Sequence, residues 1–233
     1  MSNFNTFEKE IKKIVLNQLF VKNELYRNVT VINELTIDSF SRRVDLAVLT
    51  NQKIIAYEIK SDADSLYRLS GQIEKYRQYF DKVIVVSTPK HLENILNLVD
   101  DDIEVWEVRE QKVTIKKRGK TSKIRNKADY LDLLRVQDMR KLANAFEISI
   151  GKGNKKEIKG KLISNINKIS YERLKLFVIN VLSQRYKFTS DSFLDNVNAK
   201  KRVTTNDLIF LSPYSKKQNQ YSIVKGSVLE QLK

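Results

Sequence analysis

Three residues on two neighbouring apolar segments carry the chemistry legible in this chain: Asp45 within RVDLAVLT (43–50), and Glu58 and Lys60 within KIIAYEIK (53–60). Both segments are rich in β-branched and aliphatic residues, the composition of strands, and the polar Asn51-Gln52 pair between them reads as a hairpin turn. Side-chain alternation puts Arg43, Asp45 and Ala47 on one face and Val44, Leu46 and Val48 on the other. Glu58 and Lys60 share a face of their own strand, opposite Tyr57 and Ile59. The spacing predicts Asp45 and Glu58 roughly across from each other, at the end of the hairpin away from the turn. Charges placed against a sheet-covering helix are costly unless something compensates them. Magnesium, which prefers carboxylate, water and phosphate oxygens, is one compensation: its bound water would be a stronger nucleophile, and Lys60 would steady a phosphoryl group under attack. The other is a wet hairpin face on which the three are ordinary solvated charges.

The surrounding elements must position that patch. Residues 4–26 place Phe4, Phe7, Ile11, Ile14, Val15 and Leu19 at helical spacing, and VTVINELTI (29–37) reads as a strand. With 43–50 and 53–60 it predicts a three-stranded antiparallel meander. Residues 65–80 return to helical spacing, and put Gln72 and Tyr76 four apart on one face, where they can meet the charged patch or pack on the sheet. DKVIVVST (81–88) is a nearly continuous apolar run, as a buried parallel strand requires. A helix over 91–99 and a strand or hairpin over 103–118 complete an α/β sheet flanked by helices. His91, the lone histidine, is expected as a surface residue of a first helical turn.

Composition excludes more than it assigns. With no Cys among 233 residues, disulfides, thiol nucleophiles and thiolate zinc sites drop out. No segment reaches the roughly 18 apolar residues of a membrane span, and the start MSNFNTFEKEIKK is unlike a signal peptide, so a soluble, cytoplasmic protein with no membrane partner is expected. The net charge is +15, unevenly placed: residues 1–110 hold 15 Lys/Arg against 18 Asp/Glu, and residues 111–233 hold 28 against 10. The second half can therefore hold a polyanion such as DNA while the first does something else, unless the lysines merely solvate a surface.

The strand and helix motifs together resemble the PD-(D/E)XK nuclease superfamily, with its restriction-endonuclease-like fold. Val44-Asp45, Glu58-Ile59-Lys60 and Gln72-Ile73-Glu74-Lys75-Tyr76 match its motifs, the last being the QxxxY helix of the RecB-like branch. Small uncharacterised bacterial and phage nuclease-like proteins show a similar pattern, in which Arg43, Tyr57, Asp62 and Arg68 also find places. Val44 stands where the naming proline is absent. The resemblance, over about residues 4–110, implies a Mg²⁺- or Mn²⁺-dependent deoxyribonuclease with Asp45 and Glu58 as metal ligands, Lys60 and Gln72 as catalytic residues, and an upstream acid at Glu34, with Glu8 and Glu10 as rivals. Arg43, Arg68 and Tyr76 would contact the nucleic acid.

GKTSKIRNKADY (119–130) reads as a linker, which divides the chain into a core (1–118) and a mainly helical basic domain (131–233). Two apolar helical stripes, at Leu134, Met139, Leu142, Ala143 and at Ile158, Leu162, Ile166, flank a Gly151–Gly153 turn that projects Lys152, Lys155 and Lys156. The segment loosely resembles SAP and Rho-N-terminal nucleic-acid-binding domains, and is equally read as a plain helical hairpin. Lys200, Lys201 and Arg202 form a second basic run; Tyr214, Lys216, Lys217 and Tyr221 interleave aromatics with charge. SFLDNV (192–197) reads as a short helix and TNDLIFLS (205–212) as a strand. The stripe Leu174, Phe177, Val178, Val181 suits either a homodimer or burial within its own domain. Besides a DNA nuclease, two other functions fit the sequence: an inactive nucleic-acid-binding module, or a phage or mobile-element regulator acting through protein contacts.

Overall fold

The computed structural model describes residues 4–25, 28–37, 42–122 and 126–212. Six strands form one sheet in chain order: β1 (Thr30–Ile37), β2 (Arg42–Leu49), β3 (Ile54–Lys60), β4 (Lys82–Ser87), β5 (Glu104–Arg109) and β6 (Lys112–Lys117). β1, β2 and β3 make the expected antiparallel meander, β3, β4 and β5 run parallel, and β6 returns antiparallel on β5. The continuous apolar run of β4 is what a central strand covered on both faces needs.

Helices α1 (Phe4–Val21), α2 (Leu69–Tyr79) and α3 (Pro89–Leu98) belong to the first half, and α4 (Val136–Ala145), α5 (Lys155–Ser164) and α6 (Tyr171–Lys200) to the second. Two apolar clusters follow. One joins Ala47, Ala56, Ile73 and Val85 to Leu131, Met139, Ile158, Leu174 and Val178; the other joins Val15, Leu46, Tyr57 and Trp106 to Phe193, Val197 and Leu211. Each contains residues of both halves. Phe177 and Val181 also pack on the first cluster, so the α6 stripe is used within the chain.

α6 has 30 residues, which gives it a length of about 45 Å. No Gly or Pro interrupts it, so SFLDNV is its continuation and not a separate helix. Its early residues serve the first cluster and its late ones the second. Where it passes the β1 edge, the buried Ser190 Oγ accepts from Val31 N at 3.0 Å, which satisfies a strand-edge amide and covers a sheet margin. The expected strand at 205–212 is instead a 3₁₀ helix, Thr205–Leu211. Asp207 decides this: its Oδ2 accepts from Thr204 N at 2.7 Å and from Thr204 Oγ1 at 2.9 Å, a helix-start arrangement. Tyr214, Lys216, Lys217 and Tyr221 lie outside the described residues.

The segment after β6 is fastened down. Lys120 N donates to Asp102 O at 2.9 Å and Ser122 N to Asp81 O at 2.8 Å. A Cβ at Gly119 would collide with the backbone of Asp102 and Glu104, so only glycine fits that crossing. A 3₁₀ helix, Lys127–Leu133, then buries Tyr130, Leu131 and Leu133. Asp81 is the knot of this region. Almost fully buried, it accepts from Ile54 N at 2.8 Å and pairs with Lys175 Nζ of α6 at 2.6 Å.

Candidate functional site

The meander ends in an irregularity that period-2 alternation does not foresee. Val44 sits in the same apolar cluster as Ala47 and Leu49, while Leu46 and Val48 belong to the other. Alternation therefore breaks near Asp45, and the expectation that Val44, Leu46 and Val48 share one face is corrected. The cause lies across the ladder. The register Asn33↔Leu46 and Leu35↔Val44 puts Glu34 opposite Asp45, and Glu34 takes a left-handed backbone with φ 59°, which turns the following residues of β1 over.

Glu58 is the centre of what gathers there. Its side chain is 2 % exposed and both oxygens are occupied. Oε1 accepts from Lys60 Nζ at 2.8 Å and from Gln72 Nε2 at 2.6 Å, and Oε2 accepts from the Tyr76 hydroxyl at 2.7 Å. Lys60 Nζ also donates to Gln72 Oε1 at 3.1 Å, and the Tyr76 hydroxyl oxygen lies 3.1 Å from the Arg43 carbonyl. Gln72 and Tyr76 thus reach the strand residues from α2, on the face their four-residue spacing predicts. Burial, followed by the Glu58 carboxylate, pushes the Tyr76 phenol far above its ordinary value and fixes it as a donor. Every polar atom of this group that points inward has a partner within the chain.

Asp45 stands beside the interlock without joining it. Its Oδ2 accepts from Ile59 N at 2.7 Å. Burial raises its pKa well above the usual carboxylate range, Glu58 raises it further, and the Ile59 amide only partly opposes them. Glu34 does not complete an acidic cluster: it faces Arg43 at 3.1 Å in an exposed pair, the kind that contributes little. Its rival Glu8 pairs with Lys12 at 2.6 Å, and Glu10 with Lys13. Among the described residues no group of three or more His, Cys, Asp or Glu is arranged to hold a metal ion. With both Glu58 oxygens occupied, Asp45 and Glu58 do not suit one.

The interlock floors a cleft of about 460 Å³ whose lining includes Arg42, Arg43, Asp45, Asp64, Arg68 and Thr36. Asp64 is spent on its own turn, accepting from Ser61 N at 2.7 Å and Ser61 Oγ at 2.6 Å. Arg42, Arg43 and Arg68 are exposed at the rim. Of the basic residues expected to bind nucleic acid, Lys152 and Lys156 are exposed around the start of α5 and Lys155 is half-buried there. The turn before α5 is held by Arg140, which donates to Gly151 O at 3.0 Å. Two backbone amides at the start of α5, those of Asn154 and Glu157, are taken by the reciprocal side chains of Glu157 and Asn154. Lys200 is paired with Asp207 at 2.9 Å, while Lys201 and Arg202 are exposed beyond the end of α6. They stand with the apolar cluster opposite the one that α5 serves. His91 is largely buried, contrary to the surface position expected, and its Nε2 and the Ser87 hydroxyl have no partner among the described residues.

Fold and cleft together define a mixed α/β protein whose strand-end charges are locked to one another under a basic rim. The chain belongs to the family described as bacteriophage P4 protein cII, whose model matches residues 1–212. It is 32% identical to protein cII of Enterobacteria phage P4 over 222 residues, which is 94% of this chain and 81% of that relative. A solved structure, a protein of unknown function from Silicibacter pomeroyi, is similar at a TM-score of 0.40 and 15% identity over 61% of this chain and 92% of its own, too distant to inform the reading.

This membership corrects the sequence-based resemblance. The chain is not assigned to the PD-(D/E)XK superfamily, nor its sheet to a restriction-endonuclease-like fold, because the family match runs through both halves as one unit. The looser likeness of residues 134–166 to SAP and Rho-N-terminal domains yields to the same match, since α4 and α5 lie inside it. The expectation of a Mg²⁺-dependent deoxyribonuclease, with its hydrolase and metal-binding roles, is overturned likewise. A motif of Asp, Glu-x-Lys and Gln-x-x-x-Tyr misled because its residue types also build a saturated ion pair, and spacing alone does not separate the two.

Proposed function

We propose that this chain is a regulatory protein of phage or mobile-element biology that works by holding DNA, without cleaving it. The observation that carries this is the separation of charge: the cleft floor neutralises itself, while residues 111–233 keep 28 Lys/Arg against 10 Asp/Glu. Membership in the cII family of a phage supports the setting. Exposed cations at Arg43, Arg68, Lys152 and Lys156, with Lys155 beside them, fit phosphate contacts, which orient a duplex without reading its sequence. Tyr76 does not join them, being buried with its hydroxyl spent on Glu58.

The test is fluorescence anisotropy of a labelled mixed-sequence duplex titrated with the full chain at several salt concentrations. The expected result is binding whose log affinity falls linearly with log salt, as counterion release dictates. Absence of binding at low salt overturns the reading.

A further inference from the structure

The cations around the cleft divide into those the fold uses and those it leaves over. Lys60 is committed to Glu58, Lys12 to Glu8 and Asn33, Arg185 to Asp138 at 2.6 Å and to the Leu133 carbonyl at 3.1 Å. For Arg42, Arg68, Arg135 and Lys155 no carboxylate partner occurs among the described residues. Arg42, Arg68 and Arg135 are exposed. Helix stability does not account for three of these four. Arg68 and Arg135 are the residues that precede α2 and α4, and Lys155 opens α5. A cation there faces the positive end of the backbone dipole, an arrangement unfavourable by about 0.3–1 kcal/mol.

These cations occupy adjoining hollows. The main cleft holds Arg42 and Arg68, and a smaller one of about 230 Å³ holds Arg135, Lys155 and Arg185; Thr36 of β1 lines both. Thr36 and Arg43 also line a third hollow, between α1 and the 3₁₀ helix Thr205–Leu211, which has Lys9 and Lys12 in its wall. The hollows therefore meet at the end of β1, where the sheet and the α4–α5 pair come together.

We infer that one DNA duplex lies along this junction, its phosphates contacting Arg42 and Arg68 on the sheet side of Thr36 and Arg135 and Lys155 on the helical side. The inference rests on the DNA-binding reading above and adds where the duplex runs. Both halves of the chain then form a single interface. The self-neutralised interlock beneath it fixes the strand ends that carry Arg42 and Arg43, while meeting no phosphate itself.

Salt-dependent anisotropy with the same duplex tests it, using the full chain and the variants Arg68→Ala, Lys155→Ala, their combination, and Lys112→Ala on the far edge strand as control. Thermal melts confirm that each variant folds. Arg68→Ala and Lys155→Ala are each expected to lower the slope of log affinity against log salt by about 0.9, and the combination by about 1.8. Lys112→Ala should leave it unchanged. Wild-type binding with no change of slope in either variant overturns the inference while the DNA-binding reading stands. A change in only one of the two confines the contact to one hollow and likewise overturns a shared track. If the wild type binds no duplex, both fall together.

Discussion

The floor of the cleft and the starts of the helices around it treat charge in opposite ways. In the floor, Glu58, Lys60, Gln72 and Tyr76 satisfy one another within hydrogen-bond distance. At the rim, Arg68, Arg135 and Lys155 stand where no carboxylate answers them among the described residues. The difference teaches what each region is for. Charge that is buried and saturated defines a structure; charge that is exposed and unpaired is available to a ligand. Variants can therefore separate the two regions by what they damage.

The largest effect belongs to Glu58. Glu58→Ala strands a buried lysine ammonium, an amide and a phenol, which costs about 3–5 kcal/mol of stability, measurable by urea denaturation. A loss below about 1 kcal/mol would mean that the interlock holds nothing together, and the contrast with the rim would collapse. Asp81→Ala comes next, at about 2–3 kcal/mol, because it orphans Lys175 and the Ile54 amide. Its effect should be smaller because Lys175 Nζ can reach water more readily than Lys60: their side chains are 16% and 8% exposed.

Asp45 sharpens the comparison through its sign. Its folded pKa is raised above the ordinary 3.8, so the folded state binds the proton more tightly than the unfolded chain. The burial penalty of Asp45 is therefore absent at low pH and grows as pH rises from about 3.8 through the folded value; above that the full penalty remains. Asp45→Asn removes the charge and keeps an oxygen for the Ile59 amide. Its melting temperature should exceed that of the wild type at neutral pH, and the gain should shrink as pH drops towards 4. Equal melting temperatures across that range would show that the Asp45 carboxylate carries no burial penalty.

Much of the architecture could be read from the chain itself. β-branched runs located the strands, and helical spacing located α1, α2 and α3, because each element buries a face whose period its sequence must show. The nearness of Asp45, Glu58 and Lys60 was legible for the same reason, whereas the sequence left open whether Gln72 and Tyr76 meet them or pack on the sheet. What they do there was not legible, since a saturated ion pair and a reactive one use the same residue types. The left-handed Glu34 left no mark of its own, and the reversal of faces at Asp45 went unseen with it. Asp81 was overlooked as one acid before an apolar run, and Ser190 as one hydroxyl in a long helix; only the tertiary fold shows which amide each meets. The Thr204–Asp207 spacing, by contrast, was a helix-start signal in plain view, and the apolar composition of TNDLIFLS obscured it.

The smallest expected effect is the one that sets the rim apart. Arg68 is exposed, Lys155 half-buried, and neither has a carboxylate partner among the described residues. Arg68→Ala and Lys155→Ala should each change folding stability by no more than about 0.5 kcal/mol, and the change should be slightly favourable because a cation leaves a helix start. Chemical denaturation of the two variants alongside Glu58→Ala makes the comparison direct. If either rim variant loses stability on the scale of Glu58→Ala, that cation belongs to the fold. Unchanged stability together with a reduced salt slope in DNA binding assigns it to the ligand, since a residue that holds nothing within the chain can lower affinity only through what it contacts outside.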